Sequence, residues 1–200
     1  MVLAIASLLA ASAGYGILDV TLEPYHADPS GKTDSTSAIQ RAVDDARDGR
    51  MIVFFPAGNY RVSDSIIANQ QNQARRDHPL LSRRDDYPCI LWGSVKGGRA
   101  RIVLADEAPG FGDPAHPKPV IYFISFLKEN EIDNPNISFN QMVISLDVDL
   151  GHGNPGAIGV DQQGAQGSVA EDVHVNAAGA FAGFRGVCGS GGGFSHISVR

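Results

Sequence analysis

Three aspartates have the residue type and the spacing to do chemistry. In residues 142–150, MVISLDVDL, strict alternation places Val143, Asp147 and Asp149 on the outer face of a strand, and Asp161 takes the same place on a later strand. Outward carboxylates serve glycosidic acid catalysis, which needs a pair roughly 5–9 Å apart, or they bind calcium. We therefore predict Asp149, Asp161 and Asp147 as catalytic candidates. The alternative is that a one-sided strand simply carries polar residues on its wet face.

Aromatic side chains and one arginine are the candidates for binding a sugar. The apolar face of an aromatic ring stacks on a pyranose ring, while a polar tip bonds the hydroxyl groups. We predict substrate binding by Trp92, Tyr122 and Tyr87, with Phe111 as a further aromatic candidate. Arg185 is added as a basic group of the later strands. Trp92 lies at a predicted strand end and is equally compatible with a place in the core.

Other chemistries are disfavoured. The sequence contains no Gly-x-Ser-x-Gly, His-Glu-x-x-His, Walker or dinucleotide motif, which argues against nucleophilic serine, zinc and nucleotide chemistry. A net charge of −6 gives no general attraction to nucleic acid or to an anionic membrane, so we expect neither as a partner. The one basic cluster, Arg75, Arg76, Arg83 and Arg84, is balanced by nearby aspartates. We predict no metal and no cofactor, except that a lyase could use calcium.

One helix and a series of strands must position these residues. Side-chain oxygens at residues 34–37 suit the free N–H groups of a helix start, and Gly49 supplies a helix-ending residue. Between them, apolar residues recur at helical spacing: Ile39, Ala42, Val43 and Ala46. The next segment, residues 51–55, is a strand that is apolar on both faces. We predict that the helix covers the open end of a stack of strands.

After this point the pattern predicts short strands only. The predicted strands are residues 60–62, 89–92, 101–104, 120–126, 142–150, 157–160, 169–175, 184–187 and 194–199. Equivalent positions recur after 24 residues from Val173 to Ile197, and after 25 residues from Gly159 to Phe184. A repeat of this size built of short strands is typical of a β-solenoid, with a β-sandwich as the alternative. We predict an all-β fold in which the helix caps the solenoid.

Residues 25–66 resemble a known superfamily. The segment HADPSGKTDSTSAIQRAVDDA, followed after a glycine by MIVFFPAGNYRVSDSI, resembles the opening motif of the pectate-lyase-like superfamily, which includes rhamnogalacturonase-like and epimerase-like domains. The matching positions are Ala27, Gly31, Thr33, Asp34, Thr36, Ala38, Ile39, Gln40, Pro56, Gly58 and Tyr60, whereas His26 stands where glycine is usual. The resemblance implies a right-handed parallel β-helix (solenoid) with an N-terminal capping α-helix.

The second half is similar to a stretch of the family 55 glycoside hydrolases, which act from chain ends on β-1,3-glucan. The similar features are the A-x-G-V pattern at residues 157–160 and the GSGGGF turn at residues 189–194. This resemblance implies a secreted, polysaccharide-degrading glycoside hydrolase, β-1,3-glucanase-like, with a polysaccharide as its partner. The alternatives are a non-catalytic glycan-binding or spike-like β-helix, and a polysaccharide lyase.

The first thirteen residues, MVLAIASLLAASA, form an apolar stretch that ends in a small-x-small cleavage pattern. This pattern predicts a signal peptide and a secreted, extracellular protein, with cell-wall association as an option. Residues 14–200 then form the N-terminal part of one β-helix domain. Because the similar glycosidases carry their acid and base on later repeats, we expect a truncated fragment whose catalytic pair lies beyond residue 200. We expect a monomer rather than a trimer.

The two cysteines, Cys89 and Cys188, match no metal-binding spacing. A disulfide in an oxidising compartment and two buried thiols are both open. We favour buried thiols.

Overall fold

The computed structural model describes residues 16–70, 88–125 and 138–200. Within these ranges the chain forms one helix and fourteen strands, and all twelve strand pairings are parallel. The elements are β1 (Ile17–Asp19), β2 (Ser30–Asp34), α1 (Thr36–Gly49), β3 (Ile52–Phe55), β4 (Gly58–Val62), β5 (Ile66–Asn69), β6 (Ile90–Gly93), β7 (Ala100–Leu104), β8 (Lys118–Ile124), β9 (Met142–Ile144), β10 (Leu146–Asp149), β11 (Ala157–Gln163), β12 (Val169–Asn176), β13 (Ala182–Val187) and β14 (Gly193–Val199). Parallel sheets with a single helix agree with an all-β, parallel β-helix-like fold, while the right-handed course stays a prediction. The helix of these ranges is too short and too polar to cross a membrane.

The strands stack in three series. The first series is β1, β3, β6 and β9, the second is β2, β4, β7 and β10, and both continue into the long strand β12 and then β14. The third series, β5, β8, β11 and β13, is a separate four-stranded sheet. Each strand therefore pairs with its equivalent one repeat later, which is why the sequence shows short strands at regular intervals. Neither sheet closes on itself.

The register of the stack tests the predicted repeat. Val173 lies opposite Ile197, which confirms the step of 24 residues. In the third series Phe184 lies opposite Val160 and not Gly159. The step there is also 24 residues, so the predicted step of 25 is wrong by one position.

A sharp bend joins the first series to the second. It lies at Ser145, Asp172 and His196 in three successive layers, with φ of 51°, 52° and 52°. This left-handed conformation is uncommon outside glycine, and aspartate and histidine tolerate it better than most residues. The bend shifts the side-chain alternation by one residue. Val143, predicted to face outward, is therefore fully buried in the core, while Asp147 keeps its outward position.

Helix α1 lies against β1, β3 and β5, at the start of both sheets. Its predicted apolar stripe is confirmed, because all four residues of the stripe are buried: Ile39, Ala42, Val43 and Ala46. Asp34 Oδ1 accepts a hydrogen bond of 2.9 Å from the Thr36 N–H, which satisfies one free donor of the first turn. The left-handed residue that ends the helix is Arg50, with φ of 61°, and not Gly49 as predicted. Its N–H reaches the carbonyl groups of the last turn.

Both sheets contribute to one apolar core. Its largest fully buried side chains include Phe55 and Tyr60, which meet edge to face with ring centroids 5.6 Å apart. Cys89 and Cys188 are both buried and unbonded, which confirms the prediction of buried thiols. Burial raises the pKa of the Cys89 thiol to about 12, so this thiol is unreactive near neutral pH.

Candidate functional site

The outer surface of the second series is polar, and we call it the arginine–aspartate face. Asn59 lies beside Arg101 and Arg101 beside Asp147 along the stack, and His174 with Ser198 continues this row in the next two layers. A second row runs two residues further along each strand. The face comprises Asn59, Arg61, Arg99, Arg101, Asp147, Asp149, Asp172, His174, Asn176, Ser198 and Arg200.

Arg99 is the centre of the ion pairs on this face. It lies in the loop before β7, and its Nε and Nη2 donate hydrogen bonds of 2.8–3.0 Å to both carboxylate oxygens of Asp147. It also reaches the next layer, where Nη1 is 2.9 Å from Asp172 Oδ2 and Nη2 is 2.8 Å from the Asp172 carbonyl oxygen. Asp147 is only 3% exposed. Arg99 therefore compensates a carboxylate that water barely reaches, in the bidentate geometry that guanidinium groups favour.

Asp172 has its charge stabilised at the bend. Its Oδ2 accepts hydrogen bonds of 2.9 Å from Arg99 and from Ser145 Oγ. Partial burial opposes ionisation, but these hydrogen bonds and the charge of Arg99 outweigh it and lower the pKa of Asp172. The hydrogen bonds that Arg99 donates to Asp147, partly offset by burial, raise the pKa of Arg99. The carboxylate of Asp172 is thus held ionised and in one orientation.

Asp149 is the more accessible of the two predicted carboxylates on β10. It is half-buried, and its oxygens accept hydrogen bonds from the Gly151 N–H at 3.0 Å and from Asn176 Nδ2 at 3.1 Å. It lines a surface cavity of about 820 Å³ and an adjoining one of about 280 Å³. Asp149 and Arg101 are common to both cavities, which therefore form one continuous polar depression.

Three guanidinium groups of the face are available to a ligand. Arg101 is 46% exposed, and its nearest carboxylate oxygen, on Asp147, is 3.8 Å away. Arg61 and Arg200 line the two cavities, and within the described ranges neither side chain makes a hydrogen bond or ion pair. Planar guanidinium groups suit carboxylate and hydroxyl groups of a ligand because they donate several hydrogen bonds in fixed directions.

The structure gathers three other predicted residues in the third series. Tyr122, Asp161 and Arg185 are neighbours in one outward ladder of β8, β11 and β13. The expectation of an accessible Asp161 is wrong, because this side chain is fully buried. Its oxygens accept hydrogen bonds from Arg185 Nε at 2.9 Å and Gln163 Nε2 at 2.8 Å. In this arrangement Asp161 and Arg185 neutralise each other.

The aromatic residues predicted to bind a sugar lie in different environments. Trp92 is 42% exposed on the outside of β6, between Phe54 and Ile144 of the neighbouring strands, so the core alternative for it is wrong. Phe111 is fully buried and cannot stack on a sugar. Tyr87 lies outside the described residues. Trp92 and Tyr122 thus lie in different series and do not form one platform.

Sequence reasoning missed most of the arginine–aspartate face. Arg61, Arg99, Arg101 and Ser198 attracted no prediction because they are far apart along the chain. The available signal was the repeat: each of these side chains except Arg99 takes an outward position of a strand, and the parallel register places those positions side by side. Arg99 precedes its strand and carried no such signal.

The described residues contain no group of three or more His, Cys, Asp and Glu side chains that could hold a metal ion. Asp147 and Asp149 come closest in type, but Asp147 has both oxygens bonded to Arg99. The carboxylate of Asp147 is therefore arranged for arginine pairing and not for metal binding.

Part of the chain is similar to known proteins. Residues 20–74 match the profile of the family described as rhamnogalacturonase A/epimerase, pectate lyase-like, which supports the predicted superfamily for this part of the chain. A solved structure described as Geobacillus virus E2 ORF18 is similar at 18% identity with a TM-score of 0.45, over 80% of this chain and 29% of that one. The chain thus spans less than a third of that viral protein. No curated protein matches the sequence.

Proposed function

We propose that the protein binds a polysaccharide along the arginine–aspartate face. The observation that carries the proposal is the outward row of Asn59, Arg101, Asp147, His174 and Ser198, which is polar through the five layers of β4, β7, β10, β12 and β14. The second row is polar except at β7, where Val103 lies between Arg61 and Asp149. Strands about 4.8 Å apart make such rows roughly 19 Å long. A linear glycan repeats its hydroxyl groups along its length, as this face repeats its donors and acceptors. The pectate-lyase-like match of residues 20–74 points to the same class of ligand.

An acidic glycan fits the face better than a neutral one. Arg61, Arg101 and Arg200 line the depression and offer guanidinium groups to a ligand, and the carboxylates beside them are Asp149 and, next to Arg61, Asp34. Uronate carboxylates would pair with the guanidinium groups.

Binding measurements with a panel of glycans test this proposal. We expect polygalacturonate or alginate to bind more tightly than neutral laminarin. An Arg61→Ala/Arg101→Ala double variant should bind these acidic glycans at least tenfold more weakly than the parent protein does. The matched control is Arg41→Ala, which removes an exposed arginine of helix α1, away from the face. Equal losses in the double variant and the control, or equal binding of laminarin, would contradict the assignment.

Glycoside hydrolysis is the second candidate, in line with the predicted resemblance to β-1,3-glucanases. The observation that favours it is the pair Asp147 and Asp149, two residues apart on β10 and both lining the same cavity. Two residues along a strand are separated by about 6.6 Å, within the range that acid and base carboxylates need. Because Arg99 holds both oxygens of Asp147, Asp149 is the one we assign to proton transfer.

Sugar release separates the two candidates. In a hydrolase, Asp149→Asn lowers the release of reducing ends by at least 100-fold while glycan affinity stays within a few-fold. A protein that binds the panel without releasing sugar is a glycan-binding β-helix, and the hydrolase assignment then fails. A product with an unsaturated end would instead identify a lyase.

Export and a monomeric state belong to the same proposal. A glycan-binding protein meets its ligand outside the cell, and residues 1–13, which lie outside the described ranges, have the pattern of a signal peptide. N-terminal sequencing of the protein from culture medium tests export, with a new terminus at Gly14 as the expected result. Light scattering of the same sample tests the monomer.

A further inference from the structure

We propose that Ser198, His174 and Asp172 form a hydrolytic triad that removes ester-linked acyl groups from the glycan bound on the arginine–aspartate face. Ser198 Oγ is 2.7 Å from His174 Nδ1. His174 Nε2 is 3.5 Å from Asp172 Oδ1. A nucleophile bonded to a base, with the base in turn beside a carboxylate, is the arrangement that defines serine hydrolases on unrelated folds. The triad goes beyond binding, and its choice of an acylated glycan rests on the proposed function.

The stacking of the strands explains how these three residues meet. His174 and Ser198 are register partners on β12 and β14, and Asp172 precedes His174 by two residues at the bend. The left-handed conformation at Asp172 turns its carboxylate toward the same side as His174 Nε2, which lies 3.5 Å away. The absence of a Gly-x-Ser-x-Gly motif does not bear on this site, because that motif describes a strand-to-helix turn and Ser198 lies within a strand.

The carboxylate of the triad is positioned by other side chains. Arg99 and Ser145 both bond Asp172 Oδ2, which leaves Oδ1 free to face the histidine. The separation of 3.5 Å is longer than a strong hydrogen bond, and such bonds in unliganded sites often tighten when substrate binds. Arg99 is a positioning residue in this scheme and does not touch the substrate.

The cavity gives the reaction room and a cation. His174 is 46% exposed, and both it and Ser198 line the cavity of about 820 Å³. Arg200 lies two residues beyond Ser198 on the same side of the chain and lines the same cavity. Its guanidinium is the group available to stabilise the negative charge that develops on the carbonyl oxygen.

The reaction balances with water as the second reactant. Ser198 Oγ attacks the ester carbonyl carbon, and its proton passes to His174 Nδ1. The bond between the carbonyl carbon and the glycan oxygen breaks, and the departing oxygen takes that proton. Water then attacks the acyl group on Ser198, with His174 again accepting and returning the proton. The products are the free glycan hydroxyl and the carboxylic acid, with no change in oxidation state.

A neighbouring serine provides a matched control. Ser195 Oγ lies 2.8 Å from His196 Nδ1, so it forms the same kind of Ser–His contact in the same strand. Among the described residues, however, no carboxylate forms an ion pair with His196, whereas His174 faces Asp172. The triad thus separates two serines that the sequence alone does not distinguish.

The test uses a fluorophosphonate probe, p-nitrophenyl acetate and a chemically O-acetylated polygalacturonate. We expect the probe to modify Ser198, and Ser198→Ala and His174→Ala to lose at least 100-fold of the esterase rate, while Ser195→Ala stays within twofold of the parent. Acetate release from the glycan should follow the same order. Circular dichroism checks that each variant is folded.

The opposite results would overturn the triad. The probe would then fail to label Ser198, or Ser198→Ala would keep the esterase rate of the parent. Equal losses of esterase rate in Ser195→Ala and Ser198→Ala would also overturn it. The proposed glycan binding is judged separately, from the affinity of the parent protein for unacetylated polygalacturonate, which does not depend on ester hydrolysis. A parent protein that binds unacetylated polygalacturonate but has no esterase activity refutes the triad and leaves the glycan-binding proposal standing.

Discussion

The two outer faces of the ten-stranded sheet differ although their inner faces share one core. Before the bend, the outward rows are mainly apolar, and we call this surface the apolar stripe; it comprises Ile17, Ile52, Phe54, Ile90, Trp92, Met142, Ile144 and Val169. Among the described residues of these rows, charged ones stand only beside Phe54, at Asp19, and beside Ile144, at Glu171. After the bend, the arginine–aspartate face carries charges in the equivalent rows. Packing requires apolar residues only on the inside. The exposed charges of Arg61, Arg101, Asp149 and Arg200 are therefore not needed by the core, which is why we assign them to recognition and chemistry.

Among the variants proposed for this comparison, we expect the largest change in stability from removing the ion pairs of Arg99. Arg99→Ala leaves the buried carboxylate of Asp147 without its partner, and we expect a loss of about 3 kcal/mol in the free energy of unfolding. Urea denaturation followed by the fluorescence of Trp92 measures it. The control is Arg101→Ala on the same face, with an expected change of about 0.5 kcal/mol or less because Arg101 is half exposed and only distantly paired.

A second variant shows whether the loss comes from the unpaired charge. Arg99→Met/Asp147→Leu removes both charges, and its stability should lie closer to that of the parent than to that of Arg99→Ala. A loss below 1 kcal/mol in Arg99→Ala, or no recovery in the double variant, would mean that the ion pairs do not hold the layers together.

Ligand binding sharpens the comparison between the two faces. We expect Arg101→Ala to weaken the binding of polygalacturonate about tenfold, because an exposed guanidinium lost from a charged contact removes roughly 1.4 kcal/mol. Trp92→Ala, on the apolar stripe, should change the affinity less than twofold. Isothermal titration at low ionic strength measures both. The reverse order of effects would move the binding site to the apolar stripe and restore the prediction that Trp92 stacks on a sugar.

The smallest expected effect concerns acid stability. The pKa of Asp172 is lowered in the folded protein, so its ionised form stabilises the fold above the unfolded value of about 3.9. That contribution is lost as the pH falls through the lower pKa of the folded state. Asp172→Asn should therefore flatten the fall in stability below pH 4 by less than about 1 kcal/mol, since Asp172 is one-third exposed. Denaturation between pH 2.5 and 6 measures this, and identical profiles would count against the ion pair.

The sequence was a good guide to the core and a poor one to the surface. Helix α1 and the later strands follow from periodicity, and the step from Val173 to Ile197 is confirmed, because inward positions must be apolar in every repeat. The bend at Ser145 could not be foreseen, since a left-handed serine leaves no mark in composition. That single conformation reversed the assignment of Val143.

The site residues show the same limit. Asp147 and Asp149 were found by alternation, but the partner that occupies Asp147 is Arg99, 48 residues earlier in a loop. Asp161 was chosen by the same alternation and is fully buried, because Arg185 lies beside it one repeat later. Alternation gives the side of a strand. It does not give the neighbour in the next layer, which decides whether a carboxylate is free or paired.

Chemical footprinting compares the two faces in one experiment and tests the central assignment most directly. Phenylglyoxal modifies accessible arginines, and N-bromosuccinimide oxidises the accessible Trp92; mass spectrometry reports both with and without polygalacturonate. We predict that the glycan protects Arg61, Arg101 and Arg200 while the oxidation of Trp92 is unchanged. Protection of Trp92 with unchanged arginine reactivity would contradict the assignment and place the ligand on the apolar stripe.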